Sequence, residues 1–203
     1  MIKNIIFDFG DVFINLDKSV QSTSLNQYNH HALPEKFHDY CIAYEVGNLN
    51  TETFIELVLE LVPQTDKQTF INAWNSILLN FPKERLLFLK DISKNYRCFL
   101  LSNTNELHIN WIKQDWGLPL FNEFKSYFEG FYLSHEIGLR KPNTTPFTYI
   151  LDKHNLNPLE TLFIDDTEEH ILTAKSLAIH TWNLIPKKED VRDLLTIKKQ
   201  LFV

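Results

Sequence analysis

Cysteine is scarce. The 203 residues hold two, Cys41 and Cys98, far apart in apolar surroundings and outside any Cys-x-x-Cys or mixed Cys/His spacing. That excludes a disulfide framework and a structural zinc site, and both thiols are expected to be reduced packing residues. No apolar run approaches the roughly 18 residues needed to span a bilayer, so no membrane role is expected. The N-terminus enters a strand-like segment directly, without the basic region and apolar stretch of a secretory leader, so the expected location is the cytoplasm. No Lys/Arg block forms a basic arm: Lys187-Lys188 and Lys198-Lys199 are ordinary surface pairs. With a net charge of -6, the chain is not a nucleic-acid binder that works by neutralising phosphates. The eight histidines show no metal-ligand spacing, and His30-His31 falls in a polar stretch expected to be solvated. No internal repeat or low-complexity segment is visible.

What is present is enough apolar sequence, 44% of residues, to bury a substantial core. The run Ile2 to Phe7 reads as a short buried strand that stops at Asp8. From about Lys18 to Phe81 only helical patterns occur: Lys18 to Tyr28, Pro34 to Tyr44, Thr51 to Leu61 with Asn50 or Thr51 as N-cap, and Asp66 to Leu79. After Pro82, which suits the first turn of a helix to about Ser93, strands alternate with helices. The expected strands are Arg97 to Leu101, Gly130 to Leu133, Thr161 to Ile164 and Ile179 to Leu184. Helices are expected from Thr145-Pro146, with Thr as N-cap, to His154, and from Glu168 to Leu177. Alternation of this kind predicts a parallel sheet with right-handed crossovers, an α/β fold.

Three expected strand ends carry polar clusters: Asp8, Ser102-Asn103 and Asp165-Asp166, with Lys141 in a nearby loop. Each has a plain reading as a helix cap, a turn or a solvated loop. Together, at one sheet edge, they would form a site. The chemistry they suit is phosphoryl transfer. Asp8 would be the nucleophile, Lys141 would bind the phosphate and offset the carboxylates, and the Ser102 hydroxyl and Asn103 backbone N–H would bind equatorial oxygens. Asp165 and Asp166 offer the oxygen ligands Mg²⁺ prefers.

Phe7-Asp8-Phe9-Gly10, Leu101-Ser102-Asn103-Thr104-Asn105, Arg140-Lys141-Pro142 and Phe163-Ile164-Asp165-Asp166 stand in the order of four motifs of the haloacid dehalogenase superfamily, which the chain resembles from residue 2 to about residue 184. Within it the wording is most similar to small bacterial sugar-phosphate phosphatases, especially the alpha-glucose-1-phosphate phosphatase group. The resemblance implies a Rossmann-like three-layer core of residues 1–16 and 82–203, with a small helical-bundle cap, residues 17–81, inserted between the first two motifs. It further implies a Mg²⁺-dependent phosphatase acting on a small phosphorylated metabolite through an aspartyl-phosphate on Asp8, with Asp8, the Gly10 carbonyl, Asp165 and Asp166 around the metal. Tyr44 to Phe54 resembles the cap loop such proteins turn toward the active site. Glu45 is its candidate for touching substrate, and Gly47 is expected to need a positive φ.

One position departs from the pattern. Most phosphatases of the superfamily place an acid–base Asp two residues after the nucleophile, and here that residue is Gly10. Asp11 is adjacent, but its side chain starts one residue further on. Three outcomes stay open: a phosphatase that manages without that Asp, a dehalogenase, or a phosphate-ligand binding protein with vestigial catalysis.

Overall fold

The computed structural model describes residues 1–20 and 35–202. Five strands form one sheet: β1 (Asn4–Phe7), β2 (Arg97–Ser102), β3 (Gly130–Leu133), β4 (Thr161–Asp165) and β5 (His180–Asn183). Their spatial order is β3-β2-β1-β4-β5 and every pairing is parallel. The central strand is buried along its whole length, which is why it reads as a continuous apolar run. Phe7 pairs with Leu100 on one side and Ile164 on the other. This register brings Asp8 level with Leu101 and Asp165, and the Asp8 amide donates to the Ile164 carbonyl at 2.9 Å.

Ten helices of four residues or more are found among the described residues. The first three are α1 (Glu35–Glu45), α2 (Thr51–Leu61) and α3 (Lys67–Asn75). Next come α4 (Lys83–Ile92), α5 (Glu106–Trp116) and α6 (Leu118–Ser126). The last four are α7 (Ser134–Ile137), α8 (Thr145–His154), α9 (Glu168–Ser176) and α10 (Leu194–Ile197). Alternate strand residues separate two apolar layers. Ile5, Phe7, Leu100 and Ile164 cluster with Leu89 of α4, Ile112 of α5 and Phe124 of α6. Ile6, Phe99 and Phe163 cluster with Phe147 and Ile150 of α8 and Ile171 of α9. The result is the Rossmann-like three-layer core. A third cluster, Tyr44, Phe54, Val58, Phe70 and Trp74, belongs to α1, α2 and α3.

Several expected boundaries move. Residues 106–126, to which the sequence pattern assigns no element, form α5 and α6: Asn105 caps the first through the His108 amide, and Gly117, at φ 77°, separates the two. Asp66 is the N-cap of α3, accepting from Gln68 and Thr69, and the helix stops at Asn75 instead of Leu79. Pro82 is the N-cap of α4, with extended ψ, and does not enter its first turn. Thr145 is the first residue of α8; Thr144 precedes it and makes no side-chain cap. Asn50 caps α2, accepting from the Thr53 amide at 2.9 Å. Of the expected Lys18 to Tyr28 helix, residues 18–20 are helical, and the rest lies outside the described residues, as do His30-His31 and Pro34. No helix among the described residues is long and apolar enough to cross a membrane.

Gly47 has φ +72°, and a Cβ there would collide with the His135 backbone oxygen of α7. The close approach packs the turn after α1 against α7. Gly47→Ala is therefore expected to combine left-handed strain with a backbone clash and lower stability by about 2 kcal/mol or more. A loss under about 0.5 kcal/mol in denaturant unfolding would show that this turn is not constrained.

Candidate active site

Lys141 sits at the centre of the sheet edge. Its ammonium is wholly buried and donates to Asp8 Oδ1 at 2.7 Å, Asp165 Oδ2 at 2.6 Å and the Leu101 carbonyl at 2.9 Å. Burial works against its charge, but Asp165 and Asp8 outweigh that and hold the ammonium above the ordinary lysine range. Asp8 is under the opposite stress. Burial pushes its carboxyl up to about 6, opposed by Lys141 and reinforced by the charges of Asp165 and Asp166. Burial also works to raise Asp165, yet Lys141 and His170 prevail and keep it well below the usual carboxylate range.

The two adjacent aspartates differ in freedom. Asp165 is the more heavily engaged: Oδ1 accepts the Thr167 amide at 2.7 Å, and Oδ2 meets both Lys141 and His170 Nδ1, the latter at 2.9 Å. Asp166 has one strong partner, Lys18, which also pairs with Asp11 Oδ2 at 3.1 Å. One carboxylate oxygen from each of Asp8, Asp165 and Asp166 lies within 4.8 Å of the others. Three carboxylates against two ammoniums leave net negative charge, and an all-oxygen donor set of this kind fits a hard divalent cation.

The stretch after β2 is pinned residue by residue. The Asn103 side-chain amide donates to the Lys141 carbonyl at 2.8 Å and accepts from the Lys141 amide at 2.9 Å, clamping that residue from both sides. Thr104 exchanges two hydrogen bonds with the Ser134 hydroxyl. Asn105 Oδ1 caps α5 and accepts Trp74 Nε1 of α3. Ser102, at 3% exposure, stays at the cavity wall. The expectation for Asn103 concerned only its backbone N–H; its side chain has a separate task, fixing the lysine loop.

A cavity of about 480 Å³ opens between the sheet edge and the helices. Gly10, Ser102, Asn103 and Glu45 line it, together with Lys18, His38, Trp74, Leu78 and His108. Glu45, the last residue of α1, accepts from Arg140 Nε and pairs with its terminal nitrogen, each at 3.1 Å. Further bonds join the same helices to α5: the Leu107 amide donates to the Tyr44 hydroxyl at 3.0 Å, and Thr51 donates to Glu106. Asp11, at φ 55°, has Oδ1 on the Leu16 amide and Oδ2 on Lys18.

The residues proposed from sequence thus lie either in the carboxylate–lysine array at the sheet edge or, like Glu45 at the end of α1, on the cavity wall. Lys18, His170 and the Trp74–Asn105–His108 group were not expected there. His170 had a signal, since it follows Asp165 by five residues and falls in the first turn of α9, so it can fold back on that carboxylate.

A parallel sheet with acids and a buried lysine gathered past its strand ends defines a Rossmann-like α/β enzyme. The chain belongs to the haloacid dehalogenase-like hydrolase family, whose model matches residues 5–184. It is 30% identical over 192 residues to the D-ribitol-5-phosphate phosphatase of Bacteroides thetaiotaomicron, covering 90% of this chain and 91% of that one. The fold superposes on a HAD-like family hydrolase of Porphyromonas gingivalis with a TM-score of 0.84, at 27% identity and covering 99% and 98% of the two chains. It superposes on a HAD family enzyme of Bacteroides thetaiotaomicron, in complex with magnesium and inorganic phosphate, with a TM-score of 0.81, at 29% identity and 93% and 97% coverage.

Proposed function

We propose that the protein is a Mg²⁺-dependent phosphatase of a small phosphomonoester, a sugar or sugar-alcohol phosphate, and that Asp8 is its nucleophile. The observation that carries this reading is the array of Asp8, Lys141 and Asp165, with Asp166 beside it, next to a cavity whose wall includes Gly10, Ser102 and Asn103. The phosphatase activity of one relative and the magnesium and phosphate bound by another support it. Three converging carboxylates also weigh against the dehalogenase reading, whose chemistry calls for no divalent cation.

Asp8, the Gly10 carbonyl and Asp166 are the groups we place around Mg²⁺, with Asp165, already engaged by three donors, acting chiefly from behind. Bound there, the ion would neutralise phosphate oxygens and so let a carboxylate approach phosphorus. Lys141 neutralises Asp8 and Asp165 on the buried side and presents positive charge to the incoming phosphate. Ser102 and the Asn103 backbone N–H donate to the equatorial oxygens as charge develops on them. Residues 17–81 form a cap over the reacting groups in this reading, with Glu45 facing the substrate, and exclude bulk water.

The test is phosphate release from a panel of sugar and sugar-alcohol phosphates, with Mg²⁺ and with EDTA. Turnover should require the metal and fall to background on chelation. Metal-independent turnover, or no release from any phosphomonoester, would overturn the assignment.

A further inference from the structure

An alkyl phosphate cannot shed its leaving oxygen easily without a proton, and the carboxylates of the array are committed: Asp165 accepts from Lys141, Thr167 and His170, Asp166 pairs with Lys18 and is assigned to the metal, and Asp8 is the nucleophile. Gly10 has no side chain, and both oxygens of Asp11 are occupied. The donor must then stand on the cavity wall. The titratable side chains there are Lys18, His38, Cys41, Glu45 and His108.

Three of these are unsuited. Lys18 is tied between Asp11 and Asp166. Burial pushes the Cys41 thiol up to about 12. His108 has both ring nitrogens engaged, Nε2 with the Trp74 carbonyl and Nδ1 with the Asn105 amide, and burial pulls it down to about 4, so it stays neutral and occupied. His38 and Glu45 remain, on one face of α1 at positions i and i+7. His38 is exposed, whereas Glu45 is half-buried, with both Arg140 contacts on Oε2 and no hydrogen-bond partner for Oε1 among the described residues. One oxygen is anchored and the other is available. Burial raises the Glu45 carboxyl above the ordinary glutamate range against the opposing influence of Arg140, His38 and His170, the basic side chains that face it.

We propose that Glu45 is the general acid and base of the reaction, a reading that rests on the phosphatase assignment above. In the first step an Asp8 oxygen bonds to phosphorus. The bond from phosphorus to the leaving oxygen breaks with its electron pair on that oxygen, which takes the Glu45 proton and departs as alcohol. In the second step the Glu45 carboxylate takes a proton from water as the water oxygen bonds to phosphorus. The bond to Asp8 then breaks, returning its electron pair to the carboxylate and freeing phosphate.

The experiment compares benzyl phosphate, whose alkoxide needs a proton, with p-nitrophenyl phosphate, whose nitrophenolate leaves without one, on full-length wild type, Glu45→Gln and His38→Gln with Mg²⁺. For Glu45→Gln we expect kcat on benzyl phosphate to fall about 10²-fold. The burst of nitrophenolate, which reports the first step on an intact fold, should change less than about threefold. The high-pH limb of the wild-type benzyl phosphate profile should vanish in this variant. Equal losses of burst and benzyl phosphate turnover, no loss on either, or the leaving-group effect appearing in His38→Gln instead would each overturn the role of Glu45. If wild type releases phosphate from neither ester nor from the sugar phosphates, the phosphatase reading itself fails.

Discussion

Asp8→Asn is expected to abolish phosphate release and, in the metal-free protein, to raise stability at neutral pH. The amide cannot form the covalent intermediate, so turnover should drop by a factor on the order of 10⁴ or more. The stability gain follows from the raised carboxyl. Asp8 moves from the ordinary 3.8 to about 6 in the folded chain. The folded state therefore holds that proton more tightly, and the associated stability is fully present below about pH 4 and lost as pH rises through about 6. The shift corresponds to about 3 kcal/mol. Asparagine never ionises, and its Oδ1 can still accept from Lys141. The two proteins should thus match at low pH and diverge as pH rises, which denaturant unfolding in EDTA across that range would measure. A gap that is flat with pH, or a mutant less stable at neutral pH, would contradict the electrostatic account. Mg²⁺ should narrow the gap, since binding at about a hundred times Kd stabilises wild type by about 2.7 kcal/mol.

Lys141→Met should have the opposite consequence for stability. Removing the ammonium leaves Asp8 and Asp165 buried beside each other, with His170 as the remaining basic partner of Asp165, and strips the Leu101 carbonyl of its donor. Breaking one partner out of a buried ionic group typically costs about 3–5 kcal/mol. Part of this should return at acid pH, when Asp8 takes up a proton, and part on adding Mg²⁺. Arginine should not rescue the site, because a planar fork needs more room than a point charge enclosed on all sides. Unfolding free energies of wild type, Lys141→Met and Lys141→Arg measure this directly. A loss under about 1 kcal/mol for the methionine variant would mean that the array is not a central electrostatic element of the fold.

How legible all this is in the sequence depends on how local each feature is. The strands Ile5 to Phe7 and Leu162 to Ile164 announce themselves because both faces are buried, and the acids at their ends stand out against the apolar runs. The sheet register then does the rest, aligning Asp8 with Asp165. The region from Glu106 to Ser126 is obscure for a physical reason: α5 fully buries only Ile109 and Ile112 and α6 only Phe121 and Phe124, and Gly117 interrupts the pattern between them. Trp74 looks like a core aromatic of α3 and is one, yet its indole nitrogen also reaches Asn105 across 31 positions, which no local pattern reports. Lys18 and Glu45 owe their places to tertiary packing, and only Glu45 had a neighbour, Gly47, to mark the turn beside it.

The paired hydrogen bonds between Asn103 and the Lys141 backbone tie together two points 38 positions apart, closing that stretch of chain at its neck. A loop already cinched at its base costs little more entropy when it is lengthened. Extra residues introduced beyond that closure, near Gly117 between α5 and α6, would extend the surface without displacing the ammonium. This part of the chain is thus a natural place for a tag, a label or a grafted recognition segment.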